Sequence, residues 1–140
     1  MGLIVFLAGL LCVSNIHGFL ASDCPVRGQF LVVEGWIPDY SIPTAVSEFE
    51  KNGYRQIICV GGQSHSEATC QKVDVFTLGA HARRSRLLFE KALGDEVAMG
   101  VIAAPDQTYD QDHWWRSSNG VRTVLSELIA YLYAVIFFHP

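Results

Sequence analysis

Four short apolar runs, each stopped at a glycine or a proline, constrain the fold of this chain more than any other feature. They are "QFLVVEGW", "RQIICVGG", "KVDVFTLG" and "VAMGVIAAP". Phe30 to Val33 in the first is a continuous apolar, β-branched run, as expected of a buried parallel strand, and the other three are read as further strands. Segments with helical spacing lie between and after them. Ile42 to Asn52 is stopped by Gly53, and Ala80 to Leu93 is closed by Gly94. A last helix, capped by Ser117, Ser118 or Asn119, runs to about Phe138. Strands alternating with helices specify an α/β domain: a mostly parallel sheet of about four strands with helices on both faces.

Ligands of such sheets gather at the carboxyl ends of the strands. Here those ends are Glu34-Gly35-Trp36, Gly61-Gly62, Thr77-Leu78-Gly79 and Ala104-Pro105-Asp106. One connection is out of scale. Only nine residues, Gln63 to Gln71, separate the Gly-Gly turn from the next strand, whereas a crossover between parallel strands takes about 10–12 residues with its helix. Either these strands pair in an unusual way or a crossover unit is missing, and the second reading is preferred.

The 140 residues make one domain, and a net charge of -4 argues against a general nucleic-acid binder. Cys12, Cys24, Cys59 and Cys70 have no metal-type spacing, so no metal site is expected; a Cys59–Cys70 disulfide is left open. Residues Gly2 to Val13 are uncharged and almost wholly apolar, a helix of about 18 Å that reaches bilayer length only if it continues to Ala21. There is no basic stretch before it and no convincing small-x-small cleavage site before Ser22, so a retained membrane anchor over residues 1–21 is favoured over a signal peptide. Residues 22–28 then read as a linker, and residues 29–140 as the α/β domain.

The strongest chemical signal is "TLGAHARRSR". A strand turning through Gly79 into a helix presents free backbone N–H groups to an anion. His81, Arg83, Arg84 and Arg86 crowd that first turn, where cations oppose the helix dipole. On a helical wheel Ala82, Ser85, Phe89 and Ala92 face inward, His81 borders them, Arg84 and Arg86 flank them on opposite sides, and Arg83 points out. Two readings stand: anion capture by His81 and Arg84 with Arg86 in support, or a solvated basic turn. Glu34 and Gly35, Gly61 and Gly62 complete a possible ligand rim, and Glu34 and His81 are the candidates for acid/base work. Ser64, His65, Ser66 and Glu67 belong to that rim rather than to a nucleophile pair. Of Trp114 and Trp115, one is expected to pack beneath the last helix and the other to stay on the surface, with an aromatic wall over the site as the alternative. That helix carries an apolar stripe of Val121, Val124, Leu125, Leu128, Ile129 and Leu132 opposite Thr123, Ser126 and Glu127. Its tail is apolar all round, suiting a core helix or one lying against a membrane.

Taken together, "FLVVEGWIPDY", "VGG", "VFTLGAHARRSRLLFEKALGDEV", "GVIAAPDQTYD" and "WWRSSNGVRTVLSELIAYLYA" resemble the ElyC/SanA/YdcF family, the bacterial domain of unknown function 218, in its VEGW subgroup. The resemblance implies a Rossmann-like three-layer sandwich preceded by an N-terminal membrane helix. It also implies a role in cell envelope biogenesis or integrity, and a nucleotide-like ligand such as S-adenosylmethionine. Glu34, Gly35, Gly61, Gly62, His81 and Arg84 match the family's positions. The family has a further strand and two helices between the Gly-Gly turn and the "TLG-x-H" strand, where this chain has "QSHSEATC". The expectation is therefore a single-pass inner-membrane protein that binds a small anionic ligand. The alternatives are a non-catalytic scaffold and a shortened, inactive relative.

Overall fold

A computed structural model of the chain describes residues 1–60 and 71–138, with side chains throughout except at 3–8 and 10–12. The proposed rim residues Gly61, Gly62, Ser64, His65, Ser66 and Glu67, and Cys70 of the proposed disulfide, lie outside the described residues. Four strands, β1 (Phe30–Glu34), β2 (Gln56–Val60), β3 (Lys72–Leu78) and β4 (Ala98–Ala104), form one all-parallel sheet in the order β2-β1-β3-β4. The α/β parallel fold expected from the apolar runs is the fold observed. The short link itself lies outside the described residues. β2 and β3 are not neighbours, because β1 lies between them and pairs with both. Among the described residues no strand covers the outer edge of β2, where a doubly wound sheet of order 3-2-1-4-5 carries its next strand. Ile57 and Cys59 of β2, whose side chains share one face of the sheet, are exposed.

Helix α2 (Ile42–Asn52) packs Ala45 and Phe49 over Leu31, Val33, Phe76 and Leu78 on one face of the sheet. It ends at Gly53, whose φ of 71° suits a left-handed stop. Helix α3 (Ala82–Leu93) follows a 3₁₀ turn at Gly79–His81. It lays Phe89 against Val32, Val73, Val75 and Met99 on the opposite face. Ala82 and Ser85 are buried, as the wheel expects, while Ala92 is exposed.

The stretch read as a linker is locked into the domain. Cys24 forms an antiparallel bridge to Val101 of β4, and the chain then crosses over Gly100 to reach Asp74 in mid-β3. Asp74 is wholly buried and accepts from Val26 N (2.7 Å), Gly28 N (2.8 Å) and Tyr54 Oη (3.0 Å). Arg27, between the two amides, takes φ 53°, which turns both N–H groups toward one carboxylate. A Cβ on Gly100 would run into Asp74 Oδ1 and Val26 N.

Two helices complete the fold, α1 (Gly2–Leu20) and α4 (Ser118–Phe137). The membrane-helix expectation is corrected here. Among the described residues, the helix long and apolar enough to cross a membrane is α4, at the C-terminus. The end of α1 is in protein: His17 and Leu20 are buried, and Leu20 packs with Ala80, Tyr109, Trp114 and Val124. The stripe expected on α4 is also rotated. Its buried residues are Gly120, Val124, Glu127 and Ala134, while Leu125, Ile129 and Leu132 face out. The reason is Glu127, which turns inward to meet Arg84 of α3, with small Gly120 and Ala134 on the same buried side.

Candidate functional site

Glu34 ends β1 pointing to the α3 side of the sheet. One oxygen accepts from Thr77 Oγ1 at the end of β3, and the other accepts from Ser85 Oγ of α3 at 2.9 Å. Its carboxylate is thus held by two hydroxyls from neighbouring elements. Gly35 continues the turn, donating its N–H to Val60 O at 2.6 Å. Gly79 takes φ 32° at the end of β3, and space around it is confined by Tyr109 Oη, Asp106 Cβ and His17 Nε2 at 3.4–3.6 Å from where a Cβ would stand. A side chain here would face backbone strain from the positive φ, although a Cβ itself would sit at ordinary contact distance.

The basic turn is largely neutralised from within. Arg84 grips Glu127 of α4 with two bonds, Nε to Oε2 at 2.7 Å and Nη2 to Oε1 at 3.1 Å. His81 Nδ1 approaches Glu127 Oε1 at 2.9 Å, an ion-pair distance, although the ring N–H direction falls outside good hydrogen-bond geometry. Arg86 lies on the other side of α3, bonded to Glu90 (2.7 Å) and Cys24 Sγ (2.8 Å). Arg83 donates to Phe19 O and covers that ring, tying α3 to α1. His81 and Arg84 are brought together, and Arg86 is not part of their cluster. Trp36, half-exposed, stacks at 57° over His81 with ring centroids 4.4 Å apart. Trp114 is buried under the start of α4 and Trp115 is exposed, as the packing reading expects.

A cleft of about 340 Å³ opens beside this pair, lined by His81, Asn119, Arg122, Thr123, Ser126 and Glu127. Arg122 is its exposed cation, and among the described residues no carboxylate pairs with it. Asn119 is oriented by its Nδ2–H bond to Thr108 Oγ1 at 2.7 Å, and Thr108 in turn bonds buried Asp106. The linear sequence points to the four cationic residues of 81–86 and passes over Asn119 and Arg122. The only signal for Glu127 is an acidic residue in an otherwise apolar helix, which is rarely buried without a partner.

Burial pushes the Glu127 carboxyl upward, but His81 and Arg84 outweigh it and hold the group below the ordinary glutamate range. A depressed folded-state value means stability that is complete above the unfolded glutamate pKa and lost as pH falls through the folded one. Urea midpoints measured from pH 7 to pH 3 are expected to fall less steeply for Glu127→Gln than for the parent chain. Parallel slopes would show that the pair contributes nothing to acid stability.

No family model matches the chain, and neither does any curated protein or solved structure.

Proposed function

We propose that this is a membrane-associated, Rossmann-like binding protein that holds a small anionic or nucleotide-like ligand in the cleft between His81 and the first turns of α4. The observation that carries the reading is the contrast among its arginines. Arg84 and Arg86 are committed to Glu127 and Glu90, whereas Arg122 faces the cleft with no carboxylate partner among the described residues. The anion contact therefore moves from the start of α3 to the first turns of α4. His81 is the neighbouring wall, and Trp36 is a platform on which a base or another flat group would stack. Binding is favoured over catalysis, since Glu34 and His81, the candidate acid/base groups, are engaged with Thr77, Ser85 and Glu127.

Membrane attachment is proposed through α4 lying on the surface rather than spanning. Its inner side is fixed along α3, while its outer side exposes Ile129, Tyr133, Ile136 and Phe137. Membership of the ElyC/SanA/YdcF family, and with it a place at the bacterial cell envelope, is the proposal that the quoted motifs support.

Thermal unfolding with inorganic phosphate, ADP and S-adenosylmethionine tests the cleft. At least one is expected to raise Tm in the parent chain, Arg122→Ala should abolish the shift, and His81→Ala should halve it or more. A shift that survives Arg122→Ala would place the anion elsewhere.

A further inference from the structure

The cleft does not stand alone. A second depression, about 530 Å³, runs between α3 and α4 and is lined mainly by Leu88, Ile129, Ala130, Tyr133 and Phe138. The two share Ser126, and they are joined by one ion pair: Arg84 lines the apolar groove, while its partner Glu127 lines the polar cleft. Arg84 meets Glu127 and Lys91 meets Ala134, so the helices run side by side in the same direction. The two depressions thus follow one another along α4 and meet at Ser126, polar at the start of the helix and apolar beyond it. From Ser126 to Phe138 the apolar part extends about 18 Å at 1.5 Å per residue. Lys91 closes its far end by donating to the carbonyls of Ala134 and Phe138.

Two further observations fix the occupant. Ile129 and Tyr133 belong both to the groove and to the exposed apolar face of α4, being 69% and 63% exposed, so the groove is open along the face proposed to meet the bilayer. At the polar end the available charge is a single positive one, because Arg84 is already neutralised by Glu127 and only Arg122 is uncommitted. A head group with one negative charge suits that site, whereas a second charge would be set against Glu127. We propose that the two depressions together form a site for a long-chain fatty acid drawn from the membrane, its carboxylate on Arg122 with Asn119 and Thr123 beside it, its chain along Leu88 and Ala130. This rests on the cleft reading above and adds to it the chemical class of the ligand.

The test uses the full chain in phosphatidylcholine vesicles with palmitic acid carrying a diazirine near its tail end. Photolabelling followed by peptide mapping is expected to mark the segments around Leu88 and Phe138. Unlabelled palmitate should compete and hexadecanol should not. Ala130→Trp, which fills the groove, should cut labelling at least tenfold, as should Arg122→Ala. The phosphate-dependent Tm shift separates the two readings, because Ala130→Trp should keep it while Arg122→Ala loses it. If Ala130→Trp loses that shift through misfolding, the smaller Ala130→Leu takes its place. Labelling that persists in the groove-filled chain, or competes equally with hexadecanol, overturns the fatty-acid site while leaving the cleft standing. Hexadecyl phosphate displacing the probe better than palmitate overturns the singly charged head. Absence of any shift with phosphate, ADP or S-adenosylmethionine in the parent chain sinks the cleft itself.

Discussion

Asp74→Ala is expected to destabilise the chain by about 4 kcal/mol, measured as a drop in the urea unfolding free energy at neutral pH. The magnitude follows from what the carboxylate holds. Two backbone amides and one tyrosine hydroxyl end on it, and the side chain is fully buried. Each buried donor left without an acceptor costs about 1–3 kcal/mol. Asp74→Asn keeps one carbonyl oxygen and should lose roughly half as much. Tyr54→Phe removes a donor together with its need for a partner and should cost only about 1 kcal/mol. A loss below about 1 kcal/mol for Asp74→Ala would show that water replaces the carboxylate and that the segment is not held as described.

Gly100 gives an independent arm of the same test. Its position lies beneath the crossing segment, and a methyl there would occupy space taken by Asp74 Oδ1 and Val26 N. Gly100→Ala is therefore expected to unseat residues 24–28 at a comparable cost. Combined with Asp74→Ala it should cost clearly less than the sum, since both break one latch. The latch matters to function because the segment it holds follows directly from α1. With residues 22–28 fixed across β4 and β3, the end of α1 stays packed against Gly79 and the first turn of α3. Limited proteolysis of either variant should cut first between Ala21 and Gln29.

The sheet was legible because its signal is local and redundant: each strand is a short, mainly apolar run bounded by a turn residue. The strand order was not, since link length says whether two strands can be neighbours but not which third strand lies between them. At the site, the helical wheel of residues 81–92 placed Ala82 and Ser85 inward and set Arg84 and Arg86 on opposite sides. It could not show that Arg84 is already matched, for its carboxylate lies 43 residues further along the chain. The orientation of α4 failed for a physical reason. Counting apolar residues identifies the inward face only when the other face meets water. In α4 the outward residues are the more apolar, and a buried ion pair with two small residues fixes which side is inside.

That inversion leads to the second large effect. Ile129→Asp combined with Ile136→Asp is expected to lower partitioning into phosphatidylcholine vesicles roughly a hundredfold, because burying each isoleucine is worth about 1.5–3 kcal/mol. Both side chains are exposed, at 69% and 59%, and neither contributes to the buried face of α4. Tm without vesicles should accordingly stay within a degree or two, as is usual for surface changes that touch no special feature. Complete release is not expected. The N-terminal anchor expected from the sequence would supply a second attachment, although with Ile16 and Leu20 packed into protein the 14 residues of α1 before Ile16 amount to only about 21 Å of helix, short of a bilayer core. Two modest attachments acting together give stable association where either alone is marginal. Flotation of the double variant with vesicles decides the matter: unchanged partitioning would mean that α1 alone holds the chain and that the outer face of α4 is turned to something other than lipid.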